Sequence, residues 1–174
     1  SPAVVNVAAA TDLVVDDAAG LVYVSRRTRH DILAISLAEG QVVSTIPIEG
    51  NPSGLELSAD GKQLFVALFG AGAVLAVDAG TGAVLDRFGV KGPLDNKWTW
   101  DLRRVGDGLF VSGDPGSSGL SHLVEIDLTT GTSAMVAGKR IIRAAPEFSW
   151  AGGDFLYAGE GFLPHSVYKL ARTQ

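Results

Sequence analysis

Apolar residues along this chain fall in short runs broken by Gly, Asp, Ser and Thr. The stretch "NPSGLELSADGKQLFVALFGAGAVLAVDAGTGAVLDRF" (Asn51–Phe88) shows the pattern most clearly: run, turn, run, loop, run, turn, run. Leu21–Ser25, Gln63–Ala67, Leu109–Ser112 and Phe155–Ala158 carry β-formers between turn signals. No segment shows the apolar stripe of an amphipathic helix, so each run predicts a strand. Asp60-Gly61 and Asp107-Gly108 are suited to the positive φ of tight hairpins.

The pattern repeats. "ILAISLAEGQVV", "VLAVDAGTGAVL", "LVEIDLTTGTSA" and "SVYKLARTQ" align, and their equivalent residues Ile35, Val77, Ile126 and Tyr168 stand 42, 49 and 42 apart. The preceding turns "DDAAGLVYV", "SADGKQLFV", "VGDGLFV" and "AGGDFLYA" align as well, with Gly20, Gly61, Gly108 and Gly153 spaced 41, 47 and 45 apart. Four short antiparallel strands in about 42 residues is the signature of a β-propeller blade. The fold expected is therefore all-β, a β-propeller of four-stranded antiparallel blades; a solenoid of β-arches, with shorter rungs, is the alternative.

Residues 51–92 also resemble the YVTN-type propeller repeat, through the Pro-x-Gly-apolar start, the Ser-x-Asp-Gly turn and the Asp-x-x-Thr-Gly corner. The resemblance is weaker over 11–50 and 120–140 and weakest in the Trp-containing parts of the last two units. It implies the fold. It says little of activity, because such propellers serve as surface proteins, binding scaffolds and enzymes.

The chain is expected to form one domain over 1–174, with blades near 11–50, 51–92, 93–140 and 141–174 plus 1–10. Strands a to d of the first three fall in Asp12–Pro47, Gly54–Phe88 and Trp98–Val136. The fourth, from Glu147 to Leu170, stops before its strand d. "AVVNVAA" (Ala3–Ala9) is the expected replacement, pairing with Ser166–Leu170 and covering two open sheet edges. That pairing could close a four-bladed ring within one chain or join two chains in an eight-bladed homodimer by strand exchange. A portion of a longer propeller is the third arrangement.

Composition narrows the functional classes. With 47% apolar and 19% charged residues the chain is globular, and 22 Gly suit a turn-rich fold. A net charge of −5 argues against a general nucleic-acid or anionic-membrane binder. No apolar run reaches the roughly 18 residues that span a bilayer. The absence of Cys removes disulfides, thiolate catalysis and Cys-ligated metals. The chain begins Ser1-Pro2 without Met or a leader pattern, which fits a mature processed product or an expressed portion. Together with the repeat resemblance this gives an extracellular or periplasmic expectation.

Within a blade, the a–b and c–d turns share one face and the b–c and d–a loops the other. The first set is short and uniform, whereas the second is long and varied and collects most of the His, Trp and Arg. Variation on a uniform scaffold marks a functional face. Arg26, Arg27, Arg29 and His30 form a dense basic cluster that suits a carboxylate or phosphate, or else a solvated loop. Trp98, Trp100 and Trp150 could stack on a sugar or apolar ligand, or pack between blades. The loop carboxylates Asp114, Glu147 and Glu160, with His165, complete the candidate set. No metal-ligand pattern, phosphate loop or nucleophile triad is legible, so no cofactor is expected. Asp78 and Asp127 read as turn-forming acceptors. The function expected is a non-enzymatic binding or structural module of an exported protein, recognising a small molecule or protein partner through the loop face. A funnel-site enzyme of lactonase, lyase or quinoprotein type is the alternative.

Overall fold

A computed structural model describes residues 5–91, 98–114, 120–142, 147–150, 155–159 and 167–171. The first unit contains β1 (Asp12–Asp16), β2 (Leu21–Arg26), β3 (Asp31–Ser36) and β4 (Val42–Pro47). The second contains β5 (Pro52–Leu57), β6 (Gln63–Leu68), β7 (Ala73–Asp78) and β8 (Val84–Gly89). The third contains β9 (Trp98–Val105), β10 (Gly108–Asp114), β11 (Leu120–Asp127) and β12 (Ser133–Ile142). The fourth contains β13 (Glu147–Trp150), β14 (Phe155–Gly159) and β15 (Val167–Ala171). Each sheet is an antiparallel meander in chain order, four-stranded in the first three units and three-stranded in the fourth among the described residues. The only helical element among these residues is a single 3-10 turn at Arg27–Arg29.

The repeat seen in the sequence is also a geometric one. A bulge interrupts β3 against β4 between Ala34 and Ile35, and β7 against β8 between Ala76 and Val77, one period later. In the first three units the c–d corner closes with the amide of a left-handed glycine donating to the carbonyl of the last residue of strand c: Gly40 to Ser36, Gly82 to Asp78, Gly131 to Asp127. Their φ values of 63°, 75° and 70° lie where a Cβ is disfavoured, which explains why the corner repeats glycine.

Sheets one to three stack face to face. Tyr23, Ile32, Ala34 and Ile46 of the first pack on Leu55, Leu64, Val66, Leu75 and Val77 of the second. Phe65, Ala67, Val74, Ala76 and Phe88 of the second pack on Leu102, Leu109, Val111, Val124 and Ile126 of the third. Removing such side chains from water contributes about 1.5–3 kcal/mol each. The outer strands β4 and β8 share one pattern, exposed except for Ile46 and Phe88, because their rim side faces water.

The inner strands β1, β5 and β9 lie side by side and are joined by polar groups. The Ser25 hydroxyl accepts from Asp12 N at 3.1 Å and donates to the Ser53 carbonyl at 2.6 Å. Ser53 Oγ lies 3.1 Å from the Ala67 carbonyl and 2.9 Å from that of Thr99, and Thr99 Oγ1 donates to Leu68 O at 2.6 Å. Asp12 Oδ2 accepts the Leu55 amide at 2.8 Å. All three hydroxyl residues are fully buried, so each bond replaces water that cannot reach them.

One expectation is corrected. Over its described part, Val5–Ala9, the segment expected as a strand across Ala3–Ala9 joins no sheet. Ala8 and Ala9 form a turn, with Ala9 at φ 63°, which breaks the extended run. Val7 packs instead on Val22, Val24, Leu33 and Ile35 of the first sheet, an apolar surface nearer in sequence than the fourth. Closure of the stack into a ring is not seen among the described residues.

Gly54 marks the closest approach of β5 and β9: a Cβ there would lie 2.8 Å from both Asp101 Cα and the Trp100 carbonyl oxygen. Because these are backbone atoms, Gly54→Ala should cost about 1–3 kcal/mol. Gly89→Ala, with nothing within 4 Å of the added atom, should stay within about 0.5 kcal/mol. Urea unfolding midpoints of the two variants provide the comparison.

Candidate functional site

The ends of the inner strands place a group of side chains from three blades together on the loop face. Phe69 follows β6 directly, Trp98 opens β9, and Arg27 begins the 3-10 turn after β2. The Phe69 and Trp98 rings are parallel, 5.6 Å apart and inclined by 7°. Trp100 meets Phe69 edge-on at 4.8 Å and Trp98 at 6.5 Å. The Arg27 guanidinium sits 4.5 Å from the Phe69 centroid. Aromatic pairs contribute about 0.5–1.5 kcal/mol beyond burial, and a cation over a ring about 0.5–2 kcal/mol. The cluster is therefore pre-ordered, yet Trp98 remains 43% exposed.

The basic cluster is not four free cations. Arg26 holds Asp31 through two bonds, Nε to Oδ1 at 2.8 Å and a second guanidinium nitrogen to Oδ2 at 2.6 Å. That bond holds the Arg26 pKa above its ordinary value and ties the ends of β2 and β3 together. His30 takes the left-handed conformation at φ 57°, and its Nδ1 lies 2.7 Å from the Gly50 carbonyl, a bond the Nδ1–H tautomer donates. Of the expected basic residues, Arg29 is exposed and Arg27 is stacked on Phe69.

The other expected residues divide by position. Asp114 closes β10 at the loop face, with its Cα paired to that of Trp98. By strand register it stands where Phe69 stands in the second blade and Arg27 in the first. Glu147 begins β13, whereas Trp150 ends it, paired with Leu156 on the half leading to the a–b turn. Trp150 therefore does not sit at the loop-face end, a correction that follows from strand direction. Glu160 and His165 lie outside the described residues. Arg27, Phe69 and Trp100 are the residues that loop inspection underweighted. The available signal was the period itself: Arg27 and Phe69 are 42 apart, so both project from the same place in successive blades.

The opposite face holds a groove of about 440 Å³ between the first two blades, with Asp16, Tyr23, Lys62 and Asp78 in its lining. Its carboxylates serve the turns. Asp16 Oδ1 accepts the Ala19 amide at 3.0 Å, and Asp78 Oδ1 accepts Gly80 N, Thr81 N and the Thr81 hydroxyl at 3.1, 2.7 and 2.8 Å. Asp127 Oδ1 accepts Thr129 N at 2.8 Å and Thr130 N at 3.1 Å in the same way, as the sequence implied for both corners. These bonds hold the Asp78 carboxyl below the usual range. Burial pushes the Tyr23 hydroxyl up, and Asp16 and Asp78 add to that shift. Among the described residues, no group of three or more His, Asp or Glu is arranged to hold a metal.

No protein-family model matches the chain, and no curated protein sequence matches it. Solved structures do. Hydrazine synthase of Kuenenia stuttgartiensis superposes with a TM-score of 0.75 at 15% identity, over 94% of this chain and 46% of that one. A protein of unknown function from Bacteroides caccae gives 0.58 at 18% identity, over 69% and 46%. The chain thus spans under half the length of either. These likenesses, with the stacked meanders, define a β-propeller-type fold; at such identities they define the fold alone.

Glu56 supplies a pH test of the inner seam. Its carboxylate faces Arg103 at 3.0 Å and accepts the Arg104 amide at 3.4 Å. Burial nevertheless raises its pKa, and the Arg103 charge offsets that only in part. The folded chain therefore holds this proton more tightly than the unfolded chain. The resulting stability is fully present below the ordinary Glu value and is lost as pH rises through the raised one. Glu56→Gln removes the titration, and the attraction of Arg103, present only while Glu56 is ionised, is already contained in the net raised pKa. The stability difference between variant and parent should therefore shift toward the variant as pH rises from about 4 to 7, measured by urea midpoints across that range.

Proposed function

We propose that the protein is a non-catalytic propeller module that binds its ligand through the loop face. The blades are read as YVTN-type repeats of an exported protein, on the strength of the repeat resemblance. The observation that supports binding is the platform of Phe69, Trp98 and Trp100 with Arg27 stacked on it. An indole ordered by two aromatic neighbours and still 43% exposed loses little side-chain freedom when a ligand covers it. The ligand class suited to this surface has a flat apolar face, an aromatic ring or a pyranose, and carries an anionic group within reach of Arg27 or Arg29.

Trp98 makes the site its own reporter. Titrating uronic acids and aromatic carboxylates should change the intrinsic fluorescence of the parent chain. Trp98→Ala should weaken the best of them by about thirty-fold, the loss of some 2 kcal/mol expected of a central aromatic anchor. Phe69→Ala should weaken it less, by loosening the indole. Unchanged affinity in both variants, or turnover of the bound compound, would remove this reading.

A further inference from the structure

The groove between the first two blades is built from the same repeat positions as the next seam, but with different residues. Tyr23, Phe65 and Phe110 pair with Ala34, Ala76 and Glu125 in their own sheets. A hydroxyl therefore stands on the first blade where the second and third carry a bare ring. Ala79 and Leu128 are equivalent too, since their amides donate to the Lys62 and Asp107 carbonyls. At the second seam Leu128 packs against the cluster that holds Phe65. At the first, the far smaller Ala79 lines a groove of about 440 Å³, within the roughly 300–1,000 Å³ of ligand sites.

Two nearly enclosed residues present polar atoms to this groove. Asp16 is 8% exposed, and its Oδ1 serves the Ala19 amide. Its Oδ2 accepts nothing among the described residues and points across the seam, 3.2 Å from where a Cβ on Gly61 would stand. Tyr23 is 2% exposed, and its hydroxyl donates one long bond of 3.4 Å to the Ala79 carbonyl. The Tyr23 oxygen accepts none among the described residues. At the second seam Ser58 takes the place of Asp16, and its hydroxyl is bound to Asp60. A buried carboxylate oxygen without a donor costs free energy that a donor on a ligand recovers. Burial first, then Asp16 and Asp78, raise the Tyr23 pKa, so both carboxylates are felt at that hydroxyl. Lys62, the cation at the rim, extends into solvent, 80% exposed and 3.8 Å from Asp60.

We propose that this groove binds a primary alkylammonium. Asp16 Oδ2 and the Tyr23 oxygen accept two of its N–H bonds, Asp78 adds charge, and the alkyl stem lies along Leu21 and Val43. A bare metal ion fits less well, because among the described residues no three His, Asp or Glu converge. The site lies on the turn face and does not depend on the ligand reading of the loop face.

Calorimetric titration near neutral pH tests it, with n-butylammonium as the probe and n-butanol as its neutral match. The ammonium should bind and the alcohol should not. Asp16→Asn, which can still accept the Ala19 amide, should weaken the ammonium about ten-fold or more, the scale of one charge-assisted bond. Tyr23→Phe, which gives the first blade the ring of the second, should weaken it less. Ala79→Leu, which copies the filled second seam, should abolish binding. Far-UV spectra and melting midpoints establish that each variant is folded. Nα-acetyl-lysine methylamide carries the same group on a peptide backbone. Whichever probe binds more tightly identifies the source, a free amine or a lysine side chain of a partner. Equal binding of butanol, or an affinity untouched by both Asp16→Asn and Ala79→Leu, would overturn the proposal. So would a parent chain that binds neither ammonium.

Discussion

An inner strand of a propeller sheet has one edge with no ladder partner, and the structure depends on how those amides are satisfied. At the first seam the Asp12 carboxylate reaches across and accepts the Leu55 amide; at the second, Glu56 accepts that of Arg104. The donor in each case belongs to the inner strand of the following blade. A side chain from one sheet thus completes the backbone of the next, and the buried hydroxyls of Ser25, Ser53 and Thr99 continue this across three strands. Apolar stacking alone would let neighbouring sheets slide, because it is non-directional. The directional bonds set the register between blades, and Gly54 gives the backbones room to approach.

This arrangement explains where the exposed aromatic cluster forms. Strands held in register at the inner edge deliver the residues that follow β2 and β6 to one height in successive blades. Arg27 and Phe69 meet for that reason, and the Trp98 ring reaches Phe69 from the next inner strand. The turn face has the same regularity but uses polar groups on itself, with Asp16, Asp60, Asp78 and Asp127 bound to nearby amides or hydroxyls.

The strands and corners were legible because they are local: the Asp78-to-Gly82 corner carries both its acceptor and its left-handed glycine within five residues. The four-unit period was legible for the same reason. Ala3–Ala9 was not, since its alternation of small and apolar residues fits a strand as well as an extended segment, and Val7 found an apolar surface that no local pattern announces. At the candidate site, composition drew attention to the run of arginines, yet Arg26 is occupied by Asp31 and Arg27 gains its role from a ring 42 positions away. Trp98 was found through its loop. Its contact with Phe69 was not, because stacking between blades is a property of the assembled repeat.

The equivalence of Arg27, Phe69 and Asp114 bears on how such a fold can change its surface chemistry. A cation, a ring and a carboxylate occupy one column of the repeat, while the columns that build the seams keep a nearly constant apolar character. Chemistry and stability are thereby written in different registers of the same short text. A duplicated unit can keep every word needed for stacking while a single letter in the variable column changes what the surface presents. The molecule is organised like a keyboard, in which one key per blade can be recut without disturbing the frame that holds the others.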